Sequence, residues 1–160
     1  MKWVELRKNG QFLRYLPEIW EREMIMPKWF QVTSWMWTKG FESFVVFACN
    51  MQEIYGLFDD NGKCSAFIYV EQQEISQQMV IHCSVIEKLD HCILINQCAA
   101  LRDQFFHRGI RSVRGWTLRK NKSLEPIMKG VGMEPTGLTF DQGEYRGKVL
   151  SWDLWQVRTA

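Results

Sequence analysis

The chain has 160 residues, 46% of them apolar and 24% charged, with a formal net charge of +2. These are values of an ordinary globular protein and exclude a disordered, fibrous or strongly basic one. Arg119, Lys120 and Lys122 are too thin a cationic cluster for a nucleic-acid or lipid-binding arm, and no apolar run nears the ~20 residues of a membrane span, so the expectation is one soluble cytoplasmic domain over residues 1–160 with neither nucleic acid nor membrane as partner.

Taken in order, Val4 to Arg7 alternates as a first strand does, and Asn9-Gly10 is a turn signal behind it. Phe12, Tyr15, Leu16, Ile19 and Trp20 recur at helical spacing to about Met24, with Pro17 as a kink or a boundary between two short helices. Pro27 suits the first turn of another helix carrying Trp29, Phe30, Val32, Met36 and Trp37, ended by Gly40. Phe41 to Asn50 is a compact apolar run read as helix. A hairpin follows, with strands Glu53 to Phe58 and Lys63 to Glu71 joined through Asp59-Asp60-Asn61-Gly62.

Met79 to Ile86 reads as a strand with Val80, His82 and Ser84 on one face and Ile81, Cys83 and Val85 on the other. Both faces are largely apolar, which places it mid-sheet. Asp90 is a capping residue for the next helix, whose buried stripe is Leu94, Cys98, Leu101 and Phe105 and whose end is Gly109. Ile110 to Leu118 is then a strand parallel to Met79 to Ile86. A short helix runs from Lys122 to Val131, with Pro126 in its first turn and Gly132 at its end, and two strands, Met133 to Gly137 and Lys148 to Val157, flank a turn-rich stretch. The fold class is α/β, with a mixed, mostly antiparallel sheet flanked by helices.

Cys49, Cys64, Cys83, Cys92 and Cys98 are odd in number and lack CxxC spacing, which fits reduced, mostly buried thiols. His82-Cys83 and His91-Cys92 hold zinc-type ligands, but adjacent strand residues face opposite ways, so no metal site is expected. Eight Trp and eight Met leave room for a sticky surface, with Trp29, Trp35 and Trp37 too close together for one helix face to bury.

The hairpin around Asp60-Asn61-Gly62, the strand-helix-strand from Met79 to Leu118, and the sequence NKSLEPIMKGVGMEPTG together resemble the GNAT superfamily of N-acetyltransferases. Asn121 stands where the family's Asn opens a short helix, and Gly132-Met133 where Gly-Phe closes it. The resemblance implies two diverging strands that admit a pantetheine arm beside Cys83 and Val85. It also implies a helix start at Asp90, His91 and Cys92 that meets the pyrophosphate of acetyl-CoA, with Asn121 nearby.

The family's glycine-rich phosphate loop is replaced here by Leu89, Asp90, His91, Cys92, Ile93 and Leu94, and Asp90 would compete for the N–H groups that an anion needs. The family's tyrosine acid is replaced by Met128, which has no proton to give. His82, then Glu87, are the candidates for a base that deprotonates an amine. Two functions follow. One is an acetyl-CoA-dependent N-acyltransferase acting on a primary amine. The other is a non-catalytic or weakly active binding protein that binds acetyl-CoA poorly, similar to head-assembly and internal-virion proteins of short-tailed bacteriophages. That second function takes a phage structural or ejection protein as partner and the host cytoplasm as location. Whether Leu89, Ile93 and Met128 plug the gap beside Val85 separates the two.

Overall fold

A computed structural model describes residues 1–8, 10–25, 41–71, 77–85, 89–119, 122–145 and 148–160. Seven strands form one sheet: β1 (Lys2–Glu5), β2 (Met51–Phe58), β3 (Cys64–Glu71), β4 (Gln78–Val85), β5 (Ser112–Leu118), β6 (Glu134–Tyr145) and β7 (Lys148–Arg158). Their spatial order is β1-β2-β3-β4-β5-β7-β6, and β4 with β5 is the parallel pair in an otherwise antiparallel sheet. The helices are α1 (Phe12–Ile25), α2 (Phe41–Asn50), α3 (His91–His107) and α4 (Glu125–Gly130), the last led in by a 3₁₀ turn at Lys122–Leu124.

Alternation along the central strands divides the core between two faces. Phe67 and Tyr69 of β3 pack with Leu16 of α1 and Phe44 and Ala48 of α2, while Ile68 and Val70 turn the other way. There they meet Met79, Val113 and the α3 residues Leu101 and Phe105. Leu94 of α3, Ile127 and Val131 around α4, and Trp155 of β7 close a third cluster on that same side. Helix α3 therefore lies across the parallel pair, and it leads from the end of β4 back to the start of β5.

Several boundaries differ from those the residue pattern suggests. β1 ends at Glu5 rather than Arg7, because the Glu5 carboxylate accepts from the backbone N–H groups of Arg7 at 3.0 Å and Lys8 at 2.8 Å and closes a turn there. Pro17 neither ends nor divides α1. The hairpin turns where Gly62 takes φ +79°, a conformation that glycine reaches without strain. β6 runs on to Tyr145 rather than stopping at Gly137. The long β7 offers it a partner throughout, with bulges between Pro135 and Thr139 and between Asp141 and Glu144 absorbing the misfit. The helix expected between Pro27 and Gly40, with Trp29, Trp35 and Trp37, lies outside the described residues.

Candidate functional site

The parallel ladder between β4 and β5 stops early. Gln78 pairs with Ser112, Met79 with Val113, Val80 with Arg114 and Ile81 with Gly115, and beyond that both strands continue without each other. β4 stays on β3 as far as Val85 opposite Ala66, while β5 stays on β7 as far as Leu118 opposite Trp152. The two strands thus fork at Ile81 and Gly115. The facing edges of residues 82–85 and 116–118 carry main-chain donors and acceptors that no strand among the described residues pairs.

Beneath the fork, on the α3 side, is a cavity of about 470 Å³, within the usual range of small-ligand sites. Ile81, Cys83 and Val85 form one wall, and Leu94 and Cys98 of α3 the roof. Ile127 and Met128 of α4 stand opposite, and Leu89, His91 and Ser123 are at the rim. Leu101, Phe105 and Val113, all buried, close the inner end. The wall is almost wholly apolar. Thr117 is on it too, its hydroxyl accepting from Trp155 Nε1 at 2.9 Å. Leu89 and Met128 line this space rather than fill it, and Ile93 is turned outward with 43% of its surface exposed.

Of the residues singled out from the sequence, Cys83, Val85 and His91 come together on the cavity wall. Cys92 does not, being exposed on the first turn of α3 and off the lining. His82 points to the opposite face of the sheet. There its Nε2 lies 2.5 Å from Glu71 Oε1, a hydrogen bond between half-exposed groups, and its ring packs edge-on to Phe47. Glu87 and Asn121 lie outside the described residues. The expectation of mostly buried thiols is corrected: Cys49, Cys83 and Cys92 are exposed and Cys64 alone is fully buried, because the others sit at helix ends or on the cleft wall. All five are free, and no metal-binding group of His, Cys, Asp and Glu forms among the described residues.

Two local features set the electrostatics. Asp90 caps α3 as its sequence position predicts, Oδ1 accepting from Cys92 N at 2.8 Å and from Ile93 N at 3.3 Å. Those are the donors an anion would use at a helix start, and here a carboxylate already holds them. Inside the cavity, burial pushes the Cys98 thiol up to about 12, so it stays protonated and is no nucleophile near neutral pH. Sequence reasoning missed the Glu71 partner of His82, because which residues face each other across β3 and β4 depends on register.

No protein-family model matches the sequence, and no curated protein matches it. Solved structures do. A spermidine N-acetyltransferase chimaera from Vibrio cholerae superposes with a TM-score of 0.74 at 9% identity, over 99% of this chain and 96% of that one. A GNAT-family acetyltransferase from Streptococcus pneumoniae gives 0.58 at 12%, over 77% of each. A Salmonella typhimurium protein solved with its cofactor acetyl-CoA gives 0.59 at 12%, over 74% and 73%. At such identities the likeness establishes the architecture: this chain has the GNAT acetyltransferase fold.

Proposed function

We propose that this protein is an N-acyltransferase that takes an acyl thioester carried on a pantetheine arm, as in acetyl-CoA, and transfers the acyl group to a primary amine. The observation that carries this reading is the fork of β4 and β5 above an open apolar cavity. An arm with amide groups is an extended, hydrogen-bonding chain, and the unpaired β4 edge can take it as an added strand. Its alkyl segments then lie on Val85, Leu94 and Met128.

The fit is uneven along such a donor. The arm suits the cleft, but the diphosphate does not suit the start of α3, where Asp90 already occupies the Cys92 and Ile93 N–H groups and adds a like charge. His91, exposed at the rim, is a group that can compensate in part.

When bound, the thioester supplies an electrophilic acyl carbon at the fork. Main-chain N–H groups of the free β4 edge polarise its carbonyl. His82, held by Glu71 on the far face, accepts the proton of the attacking amine as the N–C bond forms. The C–S bond then breaks. Met128 has no proton to offer the departing sulfur, which takes one from water at the cleft mouth.

Thiol release from acetyl-CoA and from acetyl-pantetheine over a panel of amines tests this directly. His82→Ala should lower the rate about 100-fold. Gly115→Leu should abolish turnover, because a side chain at Gly115 starts 3.6 Å from the Met128 methyl and 3.7 Å from Ile81 and grows into the fork. Thiol release no faster than hydrolysis with every amine, or full activity in Gly115→Leu, would refute the proposal. A competing reading, a GNAT-shaped protein that acts by binding a protein partner, draws support from Asp90 at the helix start and from Met128 in place of a proton donor, and requires no open cleft.

A further inference from the structure

On the face of the sheet opposite α3, and among the described residues, the Nε of Arg114 has no hydrogen-bond partner. Arg114 of β5 is half-buried, and this nitrogen is fully shielded from solvent. The side chain facing it across the strands, Gln156, is already engaged: its Nε2 donates to Ser112 Oγ at 2.5 Å, and its Oε1 accepts from Arg158 Nη2 at 3.3 Å. Three other arginines are matched, the exposed Arg108 by Glu53 and Arg119 by Asp153, and the half-buried Arg102 by Asp103 and the Val131 carbonyl. An arginine Nε–H shielded from water without an acceptor is unfavourable for folding, and an anion that spans it and a terminal nitrogen relieves it.

Its position gives the orphan a use. Arg114 pairs in register with Val80 and lies one residue before the fork, on the same face as His82. Strand geometry puts the Arg114 and His82 Cα atoms roughly 8–10 Å apart, so the tips of both side chains can converge on one small molecule. A group held in the α3-side cavity reaches that face only where the strands part. An acceptor there meets a base at His82 and a cation at Arg114.

We infer that Arg114 is a specificity-determining residue, and that the amine acylated here carries a carboxylate, as an amino acid does. The assignment rests on the acyl-transfer reading of the cleft. It runs against polycationic acceptors, whose extra charges Arg114 repels.

The test needs no turnover. Calorimetric titration with the N-acetyl derivatives of L-alanine, L-methionine and L-phenylalanine, each beside its carboxamide, isolates the carboxylate. At least one carboxylate should bind about tenfold or more tighter than its carboxamide. Arg114→Gln should erase the difference and Arg114→Lys keep part of it, with a cooperative melt confirming that each variant is folded. Equal binding of acid and amide, no binding of any probe, or a preference that survives Arg114→Gln would overturn the inference. So would a failure of both variants to fold, which would make Arg114 a structural residue. A parallel titration of the wild type with acetyl-CoA separates this from a failure of the cleft itself: donor binding without an acid preference sinks the Arg114 assignment alone.

Discussion

Asp90 shows how one side chain can serve the fold and oppose the ligand. As an N-cap it satisfies two orphan donors of α3, and losing such a cap costs about 1 kcal/mol. As a charge it sits where the diphosphate of acetyl-CoA would lie. Asparagine caps about as well as aspartate and carries no charge. Asp90→Asn should therefore leave the melting temperature nearly unchanged and tighten acetyl-CoA binding about three- to tenfold, while acetyl-pantetheine, which has no diphosphate, is unaffected. Equal effects on the two ligands in calorimetry would show that the charge is irrelevant to the donor. The capping role could be read from the sequence because it depends on neighbours two and three residues away. The His82–Glu71 pair could not, because 11 positions separate the two residues and only strand register brings them together.

At the scale of elements, α3 is fastened at both ends, by Asp90 at its start and by a buried cluster at its finish. Glu53 of β2 is 6% exposed and accepts from Tyr55 and from both terminal nitrogens of Arg108, just beyond the last turn of α3. Burial opposes ionisation of Glu53, but the bonds from Arg108 and Tyr55 outweigh it and hold the carboxyl below the usual glutamate range. Burial beside that carboxylate pushes the Tyr55 phenol up, so it stays a donor. A carboxyl with a depressed folded-state value contributes stability above its unfolded value, near 4.3, and loses it as pH falls through the lower folded one. Glu53→Gln should cost roughly 2 kcal/mol at neutral pH, below the 3–5 of a fully buried pair because Arg108 is half in water. The variant should also lose less stability than the parent as pH falls below about 4.3, which denaturant melts across pH would reveal. The residue pattern placed β2 to β5 and β7 to within about two residues, β2 to β4 because they carry apolar residues on both faces. β6 was cut short because Gly137 and the polar stretch behind it resemble a turn, and only its pairing with β7 carries it on.

For the molecule as a whole, element order and strand polarity were legible, and they sufficed for the GNAT-type architecture. The fork was implied by that resemblance alone. Nothing in the local pattern of β4 or β5 announces it, since both read as ordinary strands beyond Ile81 and Gly115. Whether the space beneath was open or plugged was a question of packing, settled by where Leu89, Ile93 and Met128 point. No helix of the described residues is long and apolar enough to cross a membrane. The central claim is that the cleft holds the pantetheine arm of a thioester and that the arm, not the diphosphate, provides the binding. Calorimetric titration with acetyl-pantetheine and acetyl-CoA tests it most directly. The account predicts that both bind, with dissociation constants within about tenfold of each other, and that Gly115→Leu abolishes both. Binding of neither ligand, or equally tight binding to the plugged variant, would contradict it.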